Sequence, residues 1–148
     1  MINIHGQCLC EAVKFTFVSD ALWAYQCHCS LCRKVTGSAY STTLFAHEKG
    51  LEWKQGHEKV TDYSKGNGYR LGFCSCCGSP VPNKFRDLPL YSVPLGCLDD
   101  VADINVVAQL YMGSKAAWEK GKLDGQQFAE IPALDEMFEM LHVQSISR

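Results

Sequence analysis

The chain has 148 residues, 47% of them hydrophobic, 20% charged, and nine of them cysteine. A chain of this size and composition fits one soluble globular domain with its own core, and no run is long and apolar enough to read as a membrane-spanning helix. The formal charge is -2 and the basic residues are scattered, which argues against nucleic acid as the main partner.

The first residues, Met1 to Gly6, hold no basic region followed by an apolar stretch. A cytoplasmic, reducing location is therefore expected, where disulfides are rare. Residues 12–17 alternate polar and apolar and predict a half-buried strand. Residues 22–27 and 40–46 are rich in aromatic and β-favouring types. Between them, residues 30–35 predict a single helical turn ended by Gly37. Further strands are predicted at 51–54, 59–63, 69–73, 91–95 and 105–112, punctuated by Gly50, Gly56, Gly66-Asn67-Gly68 and Pro89. Another short helical turn is expected at 114–120. After Pro132, the apolar residues Leu134, Met137, Phe138 and Leu141 fall at i, i+3, i+4 and i+7, which predicts an amphipathic helix over 134–141. Its apolar stripe either packs on its own domain or serves as a homodimer contact. The sum is a mainly β fold with no internal repeat and no linker that divides it.

The cysteines sort into clusters. Cys8 and Cys10 form C-x-C, Cys27, Cys29 and Cys32 form C-x-C-x-x-C, and Cys74 and Cys77 form C-x-x-C followed by Gly78; Cys76 and Cys97 are left over. An odd number of cysteines in tight groups, in a reducing compartment, points to metal rather than to a disulfide framework. Two pairs far apart in sequence can close one tetrahedral four-thiolate site, so Cys8, Cys10, Cys74 and Cys77 are the expected ligands of a structural zinc. Tetrahedral thiolate spacing without an iron–sulfur pattern favours zinc over iron.

Cys27, Cys29 and Cys32 leave a fourth position on a second zinc, which makes two zinc ions per chain. Water, a substrate thiol, Cys97 or His28 could fill that position. His28 lies between two ligands and is expected to point away from the metal. Three thiolates donate much charge, so this zinc is a weak Lewis acid, better suited to holding a fourth thiol deprotonated. Such a thiolate can attack a small electrophile such as an aldehyde carbonyl. Arg33, Lys34 and Lys115 are candidates to attract a substrate's carboxylates, and Trp118 and Tyr40 to wall the pocket.

The order Gly6-x-Cys8-x-Cys10, Cys27-His28-Cys29-x-x-Cys32-Arg33, Gly37-Ser38-Ala39-Tyr40 and Phe73-Cys74-x-x-Cys77-Gly78-Ser79, continuing through Gly96-Cys97-Leu98-Asp99-Asp100 and Ser114-Lys115-Ala116-Ala117-Trp118, resembles the glutathione-dependent formaldehyde-activating enzyme family, which also includes centromere protein V. The resemblance implies a β-tent of several small coiled antiparallel sheets in a zinc-binding domain over 1–132, with 133–148 as a C-terminal helical extension. It implies a structural zinc at Cys8, Cys10, Cys74 and Cys77 and a catalytic-type zinc at Cys27, Cys29 and Cys32. The activity it implies is a carbon–sulfur lyase reaction, the condensation of formaldehyde with glutathione to S-(hydroxymethyl)glutathione. Three departures from the family pattern stand out. Glu11 follows the first C-x-C where glycine is usual, Cys76 and Cys97 are extra thiols, and the helix from Leu134 is an addition. Two other classes of function are consistent with the same residues. One is a non-catalytic interaction or chaperone-like module with both zincs structural; the other is a redox sensor using Cys76 or Cys97.

Overall fold

The computed structural model describes residues 2–19, 22–99, 101 and 103–143. Among them are twelve strands: β1 Ile2–Gln7, β2 Lys14–Ser19, β3 Trp23–Cys27, β4 Ser41–His47, β5 Leu51–Gln55, β6 Val60–Ser64, β7 Arg70–Cys74, β8 Pro80–Val81, β9 Asn83–Lys84, β10 Leu90–Pro94, β11 Asn105–Leu110 and β12 Gln126–Gln127. Two α-helices accompany them, α1 Ser30–Thr36 and α2 Leu134–Met140. The protein is thus mainly β, built from several small sheets. No helix among the described residues is long and apolar enough to cross a membrane.

The chain divides into two compact units. The first takes the described residues of 1–21 and 45–102, the second those of 22–44 and 103–143. In the first unit, β2 pairs antiparallel with β1 and with β5, and β7 pairs antiparallel with β6 and with β8. Phe15 and Phe17 of β2 are both 1% exposed, and the edge of Trp53 meets Phe15 at 6.0 Å between ring centroids. A small core of Cys8, Val13, Cys74 and Val81 carries Ala12, Trp53, Val60 and Cys77 packed around it. Full burial of each such aliphatic side chain is worth about 1.5–3 kcal/mol, so this core fixes the two cysteine-bearing loops to one another.

In the second unit, β11 lies between β12 and β3, and β3 pairs antiparallel with β4. The expected antiparallel arrangement changes at β11, which runs parallel to both β3 and β12. Parallel strands need a long crossover, and the chain between β3 and β11 is long enough to supply it. The register sets Gln26 opposite Thr42 on one side and Gln109 on the other.

The C-terminal helix forms where the periodicity placed it. Met137 is 1% and Leu141 5% exposed, while Asp135, Glu136 and Glu139 face solvent. The two acidic residues of its first turn also suit the positive end of the helix dipole. The imidazole of His142, just past the helix, stacks on Trp23 at 4.2 Å, and the other two stripe residues, Leu134 and Phe138, are half-buried. Residues 144–148 of the expected extension lie outside the described residues. A 3-10 turn over Met112–Ser114 follows Tyr111, whose left-handed backbone (φ 57°) breaks β11, and within the predicted 114–120 a single turn closes where Glu119 N–H donates to the Ala116 carbonyl at 3.0 Å.

Candidate metal centres

Cys8 follows β1 at the start of a tight loop. Its N–H donates to the carbonyl of Val13 at 3.0 Å, the N–H of Glu11 returns to its carbonyl at 3.1 Å, and Val13 N–H donates to its Sγ at 3.3 Å. Glu11 sits in the left-handed region at φ 64°, a conformation that glycine adopts without a Cβ penalty. Cys74 ends β7 and opens the second loop. Gly78 N–H donates to its carbonyl at 2.7 Å, and Gly78 holds φ 77° to turn the chain after Cys77.

These two loops bring four sulfur atoms together. The Sγ atoms of Cys8, Cys10, Cys74 and Cys77 all lie within 4.8 Å of one another, with Cys8–Cys10 at 3.7 Å and Cys10–Cys74 at 3.9 Å. Sulfurs at the corners of a tetrahedron around zinc, with Zn–S near 2.3 Å, stand about 3.8 Å apart, so the spacing fits that ion. Backbone N–H groups of Ser79 and Cys10 donate to Cys77 and hold its thiol down to about 6. Such donors stabilise the thiolate that a metal requires.

The second group is Cys27, Cys29 and Cys32, whose Sγ atoms also lie within 4.8 Å of one another. Cys27 ends β3 and is buried, whereas Cys29 and Cys32 are half-buried. Cys29 is the N-cap of α1, and its Sγ accepts the N–H of Cys32 at 3.3 Å. That cap and the Gly37 N–H bond to Arg33 O at 2.9 Å hold a helix of only seven residues. The three thiols perturb one another strongly. Hydrogen bonds from Cys27 and then Cys32 push Cys29 far down, while the same contact with Cys29 pushes Cys27 far up. Three such groups cannot all ionise together without a cation among them. Ser41 also hydrogen-bonds the Cys32 sulfur.

His28 is fully buried, and its Nε2 lies 2.6 Å from Oε1 of Gln109. It is absent from the ligand group among the described residues. Gln109 in turn donates to Gln26 Oε1 at 2.7 Å and to the Asp124 carbonyl at 2.8 Å. Sequence reading did not find this network, because its members come from β3, β11 and a later loop and no local motif marks them.

Of the candidate substrate residues, Arg33 stands next to Cys32 in α1, half-buried, with Nε lacking a partner. Lys115 is half-buried and Trp118 is 66% exposed, both in the segment after β11 of the same unit. Trp118 is therefore surface rather than core. Tyr40 packs its ring 5.0 Å from that of His28. Cys76 is exposed. The Cys97 thiol donates to the carbonyl of Pro94 at 2.9 Å, and burial pushes it up to about 12.

A small β-rich protein with one four-sulfur and one three-sulfur cluster defines a class: proteins with cysteine groups able to hold metal ions. The chain matches the family model described as glutathione-dependent formaldehyde-activating enzyme over residues 3–114, and it belongs to that family. A solved structure of a Rhodobacter sphaeroides protein is similar to it, with 25% identity and a TM-score of 0.56 over 70% of this chain and 99% of that one. No curated protein matches the chain.

Proposed function

We propose that the protein is a zinc-dependent carbon–sulfur lyase-type enzyme that joins a small thiol to a small aldehyde, with glutathione and formaldehyde as the pair its family names. The observation that carries this reading is the three-sulfur cluster of Cys27, Cys29 and Cys32 in a chain that also has a four-sulfur cluster. The four-sulfur group suffices for a structural zinc, so the three-sulfur group is free for chemistry. A zinc ion bound there supplies the positive charge that keeps a fourth, exogenous thiol deprotonated at neutral pH.

The chain's own residues do the rest. The N–H of Cys32 and the hydroxyl of Ser41 donate to two of the three sulfurs and draw off part of their charge. Arg33 and Lys115 attract the carboxylates of the thiol substrate, and Trp118 offers an exposed aromatic face to it. In the reaction the sulfur forms a bond to the aldehyde carbon, the carbonyl π pair moves to oxygen, and that oxygen takes up the proton the thiol released. No oxidant or reductant is needed. Cys97 spends its thiol on the carbonyl of Pro94, which favours an external fourth ligand over Cys97.

We place the protein in a reducing compartment, the cytoplasm, because its clustered cysteine spacing suits metal thiolates rather than a disulfide framework. We assign residues 1–132 to the zinc-binding domain and α2 to a C-terminal extension that follows it. Calorimetry of the zinc-loaded protein with glutathione tests the reading. Saturable binding is expected, and no binding at millimolar glutathione removes the assignment.

A further inference from the structure

The four sulfurs of the first centre are not equivalent. Cys8 and Cys74 are buried in the small core with Val13 and Val81, and Cys77 is half-buried against that core. Cys10 is the exposed member of the four. Its neighbours in the loop give it no cover, since Leu9 is 84% exposed and Glu11 is exposed too. Hydrogen bonding divides the sulfurs further. The N–H groups of Cys76 and Cys77 donate to Cys74, and those of Ser79 and Cys10 donate to Cys77. Cys8 accepts from Val13 N–H at 3.3 Å, and Cys10 accepts from Ala12 N–H. Each donor draws charge from the sulfur it meets and so makes it a poorer nucleophile. Cys8 and Cys10 keep the most charge, and of these two Cys10 is the one outside the core.

We infer that Cys10 is a modification site, the sulfur at which α,β-unsaturated carbonyl compounds attack the four-sulfur centre and unload its metal. The Cys10 sulfur forms a bond to the β-carbon, the C=C π pair moves toward the carbonyl, and the α-carbon takes a proton from water, leaving hydroxide. No leaving group, oxidant or reductant is needed. The product is a neutral thioether, and a zinc ligand from cysteine has to be the thiolate. Because Cys8 and Cys74 stay packed in the core, the centre opens from the Cys10 side first. The inference needs only the four-sulfur centre and not the thiol–aldehyde reading above.

Zinc-loaded full-length protein is treated with N-ethylmaleimide, an electrophile of this class, and digested at intervals. Tandem mass spectrometry then follows each cysteine separately, so that the exposed Cys76 is not confused with its neighbours. Within the four, Cys10 should react first, ahead of Cys74 and Cys77 by at least roughly three- to tenfold, the worth of one hydrogen bond on the sulfur. A rate at Cys10 no higher than at any of the other three overturns the inference. Cys10→His removes the reactive sulfur and keeps a ligand, because zinc also accepts three thiolates and one imidazole. In the wild type, Cys8, Cys74 and Cys77 should become reactive once Cys10 is blocked, since the ion that shields them has left. In a Cys10→His protein that holds two zinc ions they should stay unreactive over the same interval. Equal labelling of those three in both proteins shows that Cys10 does not control the centre and overturns the inference. If Cys10→His fails to hold two zinc ions, the order of labelling in the wild type decides alone.

Discussion

Replacing Cys74 by serine tests the four-sulfur centre most severely. Its side chain is 0% exposed, and its sulfur lies 3.9 Å from that of Cys10. A structural zinc site contributes about 10–16 kcal/mol of apparent binding free energy at neutral pH. A whole domain of this size is stable by only about 5–15 kcal/mol. Losing the ion therefore removes as much free energy as folding supplies, and hydrophobic burial of Val13 and Val81 cannot replace it. The Cys74→Ser protein should bind one zinc instead of two and lose its cooperative unfolding transition. Cys76→Ser, two residues away on an exposed side chain, should keep both ions and shift stability by no more than about 0.5 kcal/mol. Metal analysis by mass spectrometry, together with urea unfolding followed by circular dichroism, reads both outcomes. A Cys74→Ser protein with two zinc ions and an unchanged urea midpoint would refute the four-thiolate assignment.

Other substitutions probe single features. Glu11→Gly relieves a left-handed residue at φ 64° and should stabilise the protein by about 0.5–1 kcal/mol, the strain relieved less the added chain entropy; a lower urea midpoint would contradict this. Gly56→Ala should be far more harmful, because Gly56 holds φ +74° and an added Cβ would lie 2.0 Å from the Ala12 carbonyl oxygen; a soluble protein with an unchanged midpoint would argue against that packing. Trp118→Ala should leave the melting temperature nearly unchanged, since the ring is 66% exposed, yet weaken glutathione binding measurably by calorimetry. Burial pushes the Cys97 thiol from its ordinary 9.0 up to about 12 in the fold. Its thiol is neutral in both states below pH 9; between pH 9 and 12 only the unfolded chain ionises, so stability falls as pH rises through that window. The urea midpoint of the wild type should therefore drop more between pH 8 and 10 than that of Cys97→Ala.

The parts of this protein written locally were legible in its sequence. Cys27, Cys29 and Cys32 lie within one turn of chain, and metal chelation constrains their spacing directly. The pairing of Cys8 and Cys10 with Cys74 and Cys77 was legible for the same reason, as two half-sites that each need the other. The stripe of α2 followed from helical periodicity. What escaped was non-local or too short. β8, β9 and β12 have two residues each and carry no period. β1 is hard to see because Ile2 is exposed and Gly6 has little strand preference. The parallel course of β11 depends on a crossover, which alternation cannot encode. The His28–Gln109 bond joins residues 81 positions apart, and a single sequence holds nothing that links them. Glu11 shows the opposite case: its departure from the family's glycine was visible at once, but only the backbone angle gave that departure a physical cost.

The central claim is that Cys27, Cys29 and Cys32 hold a metal whose fourth ligand is an external thiol. Cadmium-113 spectra of the cadmium-substituted protein address it directly, because the resonance position reports how many sulfurs bind each ion. Without added thiol, one four-sulfur and one three-sulfur resonance are expected, and glutathione should move only the second into the four-sulfur range. Two four-sulfur resonances before any thiol is added would contradict the account and make both centres structural.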